Sequence, residues 1–202
     1  MTFPVISNNN PLILASASPR RKDLLNQVNI PFIVFPSDID ENGGKGEPYE
    51  ICTHLAKQKA AHAYKYRSEN QWVLGADTIV VKNRVIMGKP TDNDEANRML
   101  RYISGGDHEV TTGFSIIDPS GKTAHTGHVS TIVRVKKLSQ DEIDSYIKSK
   151  EPFGKAGGYA IQGIGAFMIK SIEGSYSNVV GLPLFAIIES LKKLRALNHF
   201  PI

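Results

Sequence analysis

Residues 72–81 read WVLGADTIVV, and this run constrains the fold more than any other. Its β-branched residues predict a strand or strand pair that is apolar on both sides. Such a strand needs cover on both faces. Asp77 interrupts it. Aspartate is depleted in strands and costly to bury without a partner. With Gly75 before it and Thr78 after it, Asp77 marks a sharp local feature. Either it caps a turn, or its carboxylate is placed to hold a divalent cation or take a proton from water.

The other segments mix strands and helices without strict alternation. LILAS at 12–16 predicts a short buried strand, followed by a helix to about Val28 with Ser18 as N-cap and Pro19 at the first helical position. Residues 31–36 predict a second strand, and SDIDENGGKGEP a loop. A helix follows from Pro48 to about Tyr66, with Ile51, Cys52, Leu55, Ala56, Ala60 and Ala63 at helical spacing. After the KNR turn and VIMGKP, Thr91 is expected to cap a helix through about Ile103, ended by Gly105–Gly106. Two long strand-like runs, 108–117 and 125–136, flank the turn signal DPSGK and predict an antiparallel hairpin. SQDE at 139–142 is a capping box for a helix to about Lys148. The glycine-rich stretch 151–182 predicts loop, short strand, loop, and a last helix covers about 183–197. The expected fold is α/β, a mixed β-sheet with flanking helices.

Two further features resist a packing explanation. Arg20 and Arg21 stand in the first turn of the first helix, with Lys22 behind them. Cations at the positive end of a helix are unfavourable. Either a bound anion completes that end, or the arginines pair with a carboxylate such as Asp23 or face water. Lys59 shares a helical face with residues 52, 55, 56 and 63, which are apolar or small. It either snorkels past Ala56 and Ala60 or reaches a phosphate. Glu41, with Asp38 and Asp40, forms an acidic loop that matters only if it joins Asp77 in holding a metal. Lys89, Lys155 and Gln162 are polar residues among glycines, where backbone can approach a ligand closely.

Composition removes several classes. Among 202 residues Cys52 is the only cysteine, so an internal disulfide or thiolate zinc site is excluded. No apolar run is long enough to span a bilayer, and MTFPVISNNN lacks the regions of a secretory signal. A cytoplasmic protein is expected, without a membrane partner. The formal charge of +4 is mild and scattered, which suits a small anionic substrate better than a nucleic acid. The six histidines show no metal-ligand spacing.

Several stretches together resemble one family. LILASASPRRKDLL, GADTIVV, MGKP, ISGGDHEVTTG and EPFGKAGGYAIQGIGAFMIKSIEGSYSNVVGLPL are similar to the Maf family of nucleoside triphosphate pyrophosphatases, over about residues 12–194. The resemblance implies a fold related to the inosine triphosphate pyrophosphatases, with two lobes around a central cleft. Residues 1–202 would form one such domain, residues 1–10 being a flexible extension. It implies hydrolysis of a nucleoside triphosphate to monophosphate and pyrophosphate with Mg²⁺ or Mn²⁺, the nucleotide being the partner; a homodimer is left open. Asp77 matches the family's proton acceptor. Ser18 and Arg20 match the serine and first arginine of SPRR, and Arg21, Glu41, Lys59 and Lys89 fall on active-site positions. KAGGYAIQG and IEGSYSNVVGLPL resemble the dTTP/UTP branch, in which Arg20, Thr78 and Gln162 would select the base. Gly154 departs from that branch, which commonly has Asp before the lysine of KAG, here Lys155.

On this reading Arg20, Arg21, Lys59 and Lys89 surround the triphosphate, Glu41 and Asp77 hold the metal, and Ser18, Thr78, Lys155 and Gln162 contact substrate. The rivals are a pyrophosphatase for 7-methyl-GTP or non-standard purine triphosphates, and a non-catalytic nucleotide-binding regulator of cell division.

Overall fold

Leu12–Leu14 (β1) is a three-residue strand buried on both faces, as an apolar run inside a parallel sheet must be. The structure is a computed structural model that describes residues 3–40, 46–66 and 70–201. Its strands are β1, β2 (Phe32–Val34), β3 (Val73–Lys82), β4 (Val85–Met87), β5 (Asp107–Ile117), β6 (Thr123–Val135) and β7 (Ile169–Glu173). The helices are α1 (Pro19–Gln27), α2 (Pro48–Tyr64), α3 (Asn93–Ile103), α4 (Gln140–Lys148), α5 (Tyr176–Val180) and α6 (Leu184–Lys193). One mixed sheet has the order β2-β1-β3-β5-β6-β7, with β4 on β3. β1 runs parallel to β2 and β3, whereas β4 and β7 are antiparallel to their neighbours. The five residues between β5 and β6 leave only the antiparallel pairing expected for that hairpin.

The chain divides into two units. The first takes the described residues up to Asp77, Thr112–Val129 and those from Gly181 on; the second is Thr78–Thr111 with Ser130–Val180. In the first, Ile13, Ala15, Ala60, Ala63, Val73 and Ile117 form a core closed by Phe35 and Tyr64. The described residues near the N-terminus pack here. The Phe3 ring meets Trp72 edge-on, Trp72 Nε1 donates to the Pro4 carbonyl at 2.9 Å, and Ile6 is buried with its N–H on the Ala196 carbonyl. The apolar Phe3 and Ile6 have a core to join, which outweighs the polar character of the surrounding sequence.

In the second unit, Leu100 and Ile103 of α3 and Ile143, Tyr146 and Ile147 of α4 cover Val80, Val110, Val133 and Val135. α4 starts on the expected capping box, Ser139 with Glu142. α3 differs from expectation. Its cap is Asp92, whose side chain accepts from the Glu95 N–H, while the Thr91 N–H and hydroxyl both bond the Glu95 carboxylate. Asp92 stands directly before the first helical residue, and its carboxylate takes the helix N–H. Within 151–182 the expected strand is β7, but two 3-10 turns, Ala156–Gly158 and Ile164–Met168, and the short α5 replace parts of the loops. Among the described residues no helix is long and apolar enough to cross a membrane.

Candidate active site

Asp77 and Lys59 resolve each other. Both belong to the first unit. Lys59 Nζ lies 2.6 Å from Asp77 Oδ1, and the two side chains are only 7% and 10% exposed. Lys59 does not snorkel; it pairs with the aspartate of the neighbouring strand. A buried ion pair of this kind contributes little net stability, but losing one partner strands a charge.

Glycine makes the contact. Gly75 and Asp77 share a face of β3, two residues apart, and Ala56 and Lys59 share a face of α2. A Cβ at Gly75 would overlap the Ala56 carbonyl oxygen and lie 2.7 Å from the Ala60 nitrogen. On β5, a Cβ at Gly113 would lie 2.5 Å from the Thr53 nitrogen. These two glycines let the backbone of α2 rest on the sheet, close enough for Lys59 to reach Asp77. Beside them Cys52 is fully buried. Burial, and then the Asp77 charge, push its thiol up to about 12, so it serves as packing and not as a nucleophile.

The loop to α1 leaves the sheet in the direction in which β3 carries Asp77. Leu14 pairs with Leu74, and the Ala15 N–H bonds the Leu74 carbonyl. Asp77 lies three residues beyond that level. Ser18 occupies the N-cap position of α1, but its side chain makes no cap bond; its own N–H bonds Ser16 Oγ instead. No acidic residue stands in the first turn. The two arginines part company there. Arg20 is half-buried. Arg21 is buried, with Nε donating to the Gly181 carbonyl at 2.7 Å and a terminal nitrogen donating to Ser16 Oγ at 3.0 Å. Arg21 thus ties the SPRR segment to VVGLPL.

Thr78, Lys89, Lys155 and Gln162 belong to the second unit. Thr78 is half-buried, and Lys89 and Gln162 are exposed. Lys155 is half-buried, its Nζ 3.4 Å from the Phe153 carbonyl. The MGKP and KAGG loops are joined where the Gly157 N–H bonds the Gly88 carbonyl at 3.0 Å, with Gly157 at φ +71°. Gly154 stands at φ +73° with open space where a side chain would go. Glycine makes that turn without the strain an aspartate would carry.

Glu41 lies outside the described residues. Among the described residues no group of three His, Cys, Asp or Glu side chains is placed to hold a metal ion. Asp77, with one oxygen engaged by Lys59, still has a second oxygen. One or two carboxylates, completed by substrate phosphates and water, are what Mg²⁺ ordinarily takes, so the donor set fits such an ion.

Residue-by-residue reading missed Ser16, Gly181, Tyr146 and Glu151. The Tyr146 hydroxyl donates to Glu151 Oε2, and Glu151 in turn accepts the N–H groups of Ile164 and Gly165. Burial pushes the Glu151 carboxyl up, but the bonds from Gly165, Tyr146 and Ile164 and the Lys155 charge outweigh it and leave it lowered. The closely spaced glycines 163 and 165 were the available signal.

The pattern of the Maf-like protein family matches residues 11–194. A dTTP/UTP pyrophosphatase of Ruminiclostridium cellulolyticum is 46% identical over 185 residues, covering 91% of this chain and 95% of that protein. One from Citrifermentans bemidjiense is 48% identical over 192 residues, covering 95% and 99%. A solved structure described as a nucleoside-triphosphatase / dITP/XTP pyrophosphatase of Mycobacterium abscessus covers 95% of this chain and 100% of its own at TM-score 0.44 and 12% identity.

Proposed function

The chain belongs to the Maf-like protein family, and from that premise we propose that it hydrolyses dTTP and UTP to the monophosphate and pyrophosphate in the cytoplasm. The names of its relatives support the reaction and substrates. The observation that carries the chemistry is the buried Lys59–Asp77 pair beyond the end of β1.

In this proposal Asp77 orients a water and takes its proton as the oxygen attacks the α-phosphorus in line. Lys59 holds the Asp77 carboxylate in place and offers its positive charge to the phosphates. The positive end of α1 and the Arg20 guanidinium receive phosphate oxygens, with Ser18 at the same end. Arg21 holds the loop that presents them. Lys89 and Lys155 add charge for the leaving pyrophosphate. Arg20, Thr78 and Gln162 discriminate the pyrimidine base. A divalent cation, held by Asp77 and Glu41, would neutralise phosphate charge and polarise the phosphorus when bound.

The test is to incubate purified protein with Mg²⁺ or Mn²⁺ and a panel of natural and modified triphosphates, identifying both products. dTMP and UMP with pyrophosphate are expected. Preferred turnover of 7-methyl-GTP or ITP would overturn the substrate assignment, and nucleotide binding without pyrophosphate would overturn the reaction.

A further inference from the structure

Tyr146 of α4 is 2% exposed, and its hydroxyl works in two directions. It donates to Glu151 Oε2 at 2.8 Å and accepts the Ala160 N–H at 3.1 Å. Glu151 Oε1 accepts the Ile164 N–H at 2.9 Å, and Oε2 accepts the Gly165 N–H at 2.8 Å. Those two N–H groups open the 3-10 turn Ile164–Met168 and have no partner within it. The carboxylate therefore caps the turn with charge-assisted bonds.

The surrounding glycines are cut to fit this pair. A Cβ at Gly163 would overlap Glu151 Oε1 and lie 2.6 Å from its Cδ, and one at Gly165 would lie 2.7 Å from the Tyr146 hydroxyl. Both ends of residues 160–164 are thus fastened to two side chains, and Gln162 projects from the middle with its side chain exposed. The same carboxylate feels the Lys155 charge.

We infer that Tyr146 and Glu151 form a clamp that positions Gln162 for base discrimination, making them specificity-determining positioning residues that touch no substrate. The inference rests on the reading of Gln162 as a base contact. A loop with its turn uncapped would let the Gln162 amide wander, and a displaced polar contact loses selectivity between bases more than it loses the chemical step. The clamp's effect therefore falls on KM for the pyrimidine triphosphate and on the ratio between nucleotides.

The experiment compares wild type with Glu151→Ala, Glu151→Gln, Tyr146→Phe, Gln162→Ala and Glu151→Ala/Gln162→Ala. It measures kcat and KM for dTTP and dGTP, and the melting temperature of each. Glu151→Ala should lower the dTTP-over-dGTP preference about tenfold, the size expected for a lost charge-assisted bond. Gln162→Ala should do the same, and the double variant should lose no more than either alone. Glu151→Gln, which keeps shape and one acceptor, should recover part of the preference. If Glu151→Ala does not fold, Tyr146→Phe and Glu151→Gln carry the same comparison. A lowered melting temperature with the preference intact would make the clamp purely structural, and multiplicative losses in the double variant would show that it does not act through Gln162. Wild-type preference in Gln162→Ala would overturn the base-contact reading, and the clamp with it. Absence of dTTP turnover in wild type would instead overturn the proposed function.

Discussion

The Lys59 ammonium and the Asp77 carboxylate stand 2.6 Å apart, buried, although 18 residues separate them in the chain. An inward lysine on an apolar helix face and an aspartate inside an apolar strand are each costly alone. Together they are a charge pair held ready beside the end of β1, and the two glycines beneath α2 set its spacing.

Removing Lys59 should cost more than removing the pair. Lys59→Met should destabilise the fold by about 3–5 kcal/mol, because Asp77 is left buried and unpaired. Lys59→Met/Asp77→Asn should recover much of that loss, yet neither variant should turn over dTTP. Urea unfolding with parallel pyrophosphate assays checks this; additive destabilisation in the double variant would show the pair is uncoupled.

Gly75→Ala should force α2 off the sheet. The new methyl overlaps the Ala56 carbonyl, and overpacking of this kind costs about 1–3 kcal/mol. Because Lys59 moves with the helix, kcat should fall further than the stability loss explains. Wild-type kcat in a folded Gly75→Ala would contradict the spacing argument.

The two arginines should separate in their effects. Arg20→Ala should raise KM for dTTP and leave the melting temperature nearly unchanged. Arg21→Ala strands the buried Gly181 carbonyl and should lose about 1–3 kcal/mol of stability. Thermal melts and steady-state kinetics on both variants decide it.

His108 sets an acid limit on the second unit. Its Nε2 lies 2.7 Å from the Tyr159 hydroxyl, and burial, followed by the Lys82 charge, holds it down at about 4 against an ordinary 6.5. The unfolded chain therefore binds the extra proton first as pH falls, and stability drops between about 6.5 and 4. The loss should reach on the order of 3 kcal/mol. His108→Gln should flatten that part of the stability–pH curve, measured by denaturant unfolding at each pH.

Periodicity made the fold legible where local preference and packing agree. α2, the hairpin strands and the Ser139–Glu142 box all lie where sequence places them. It misled where a competitor sat one residue away, as Asp92 did beside Thr91. The oddity of Asp77 and Lys59 was visible as two separate costs, but that each answers the other depends on α2 lying on β3, which is tertiary information. Likewise nothing local distinguishes Arg20 from Arg21; only the Gly181 carbonyl, 160 residues away, does. Glu151 was hidden because a capped 3-10 turn has no period to detect.

The most direct measurement is hydrolysis of dTTP in ¹⁸O-labelled water with Mg²⁺, following the label by mass spectrometry in wild type and Asp77→Asn. Attack at the α-phosphorus by a water that Asp77 activates predicts one ¹⁸O in dTMP, none in pyrophosphate, and at least about a 100-fold slower release by Asp77→Asn. Label in pyrophosphate, or an Asp77→Asn enzyme as fast as wild type, would contradict it.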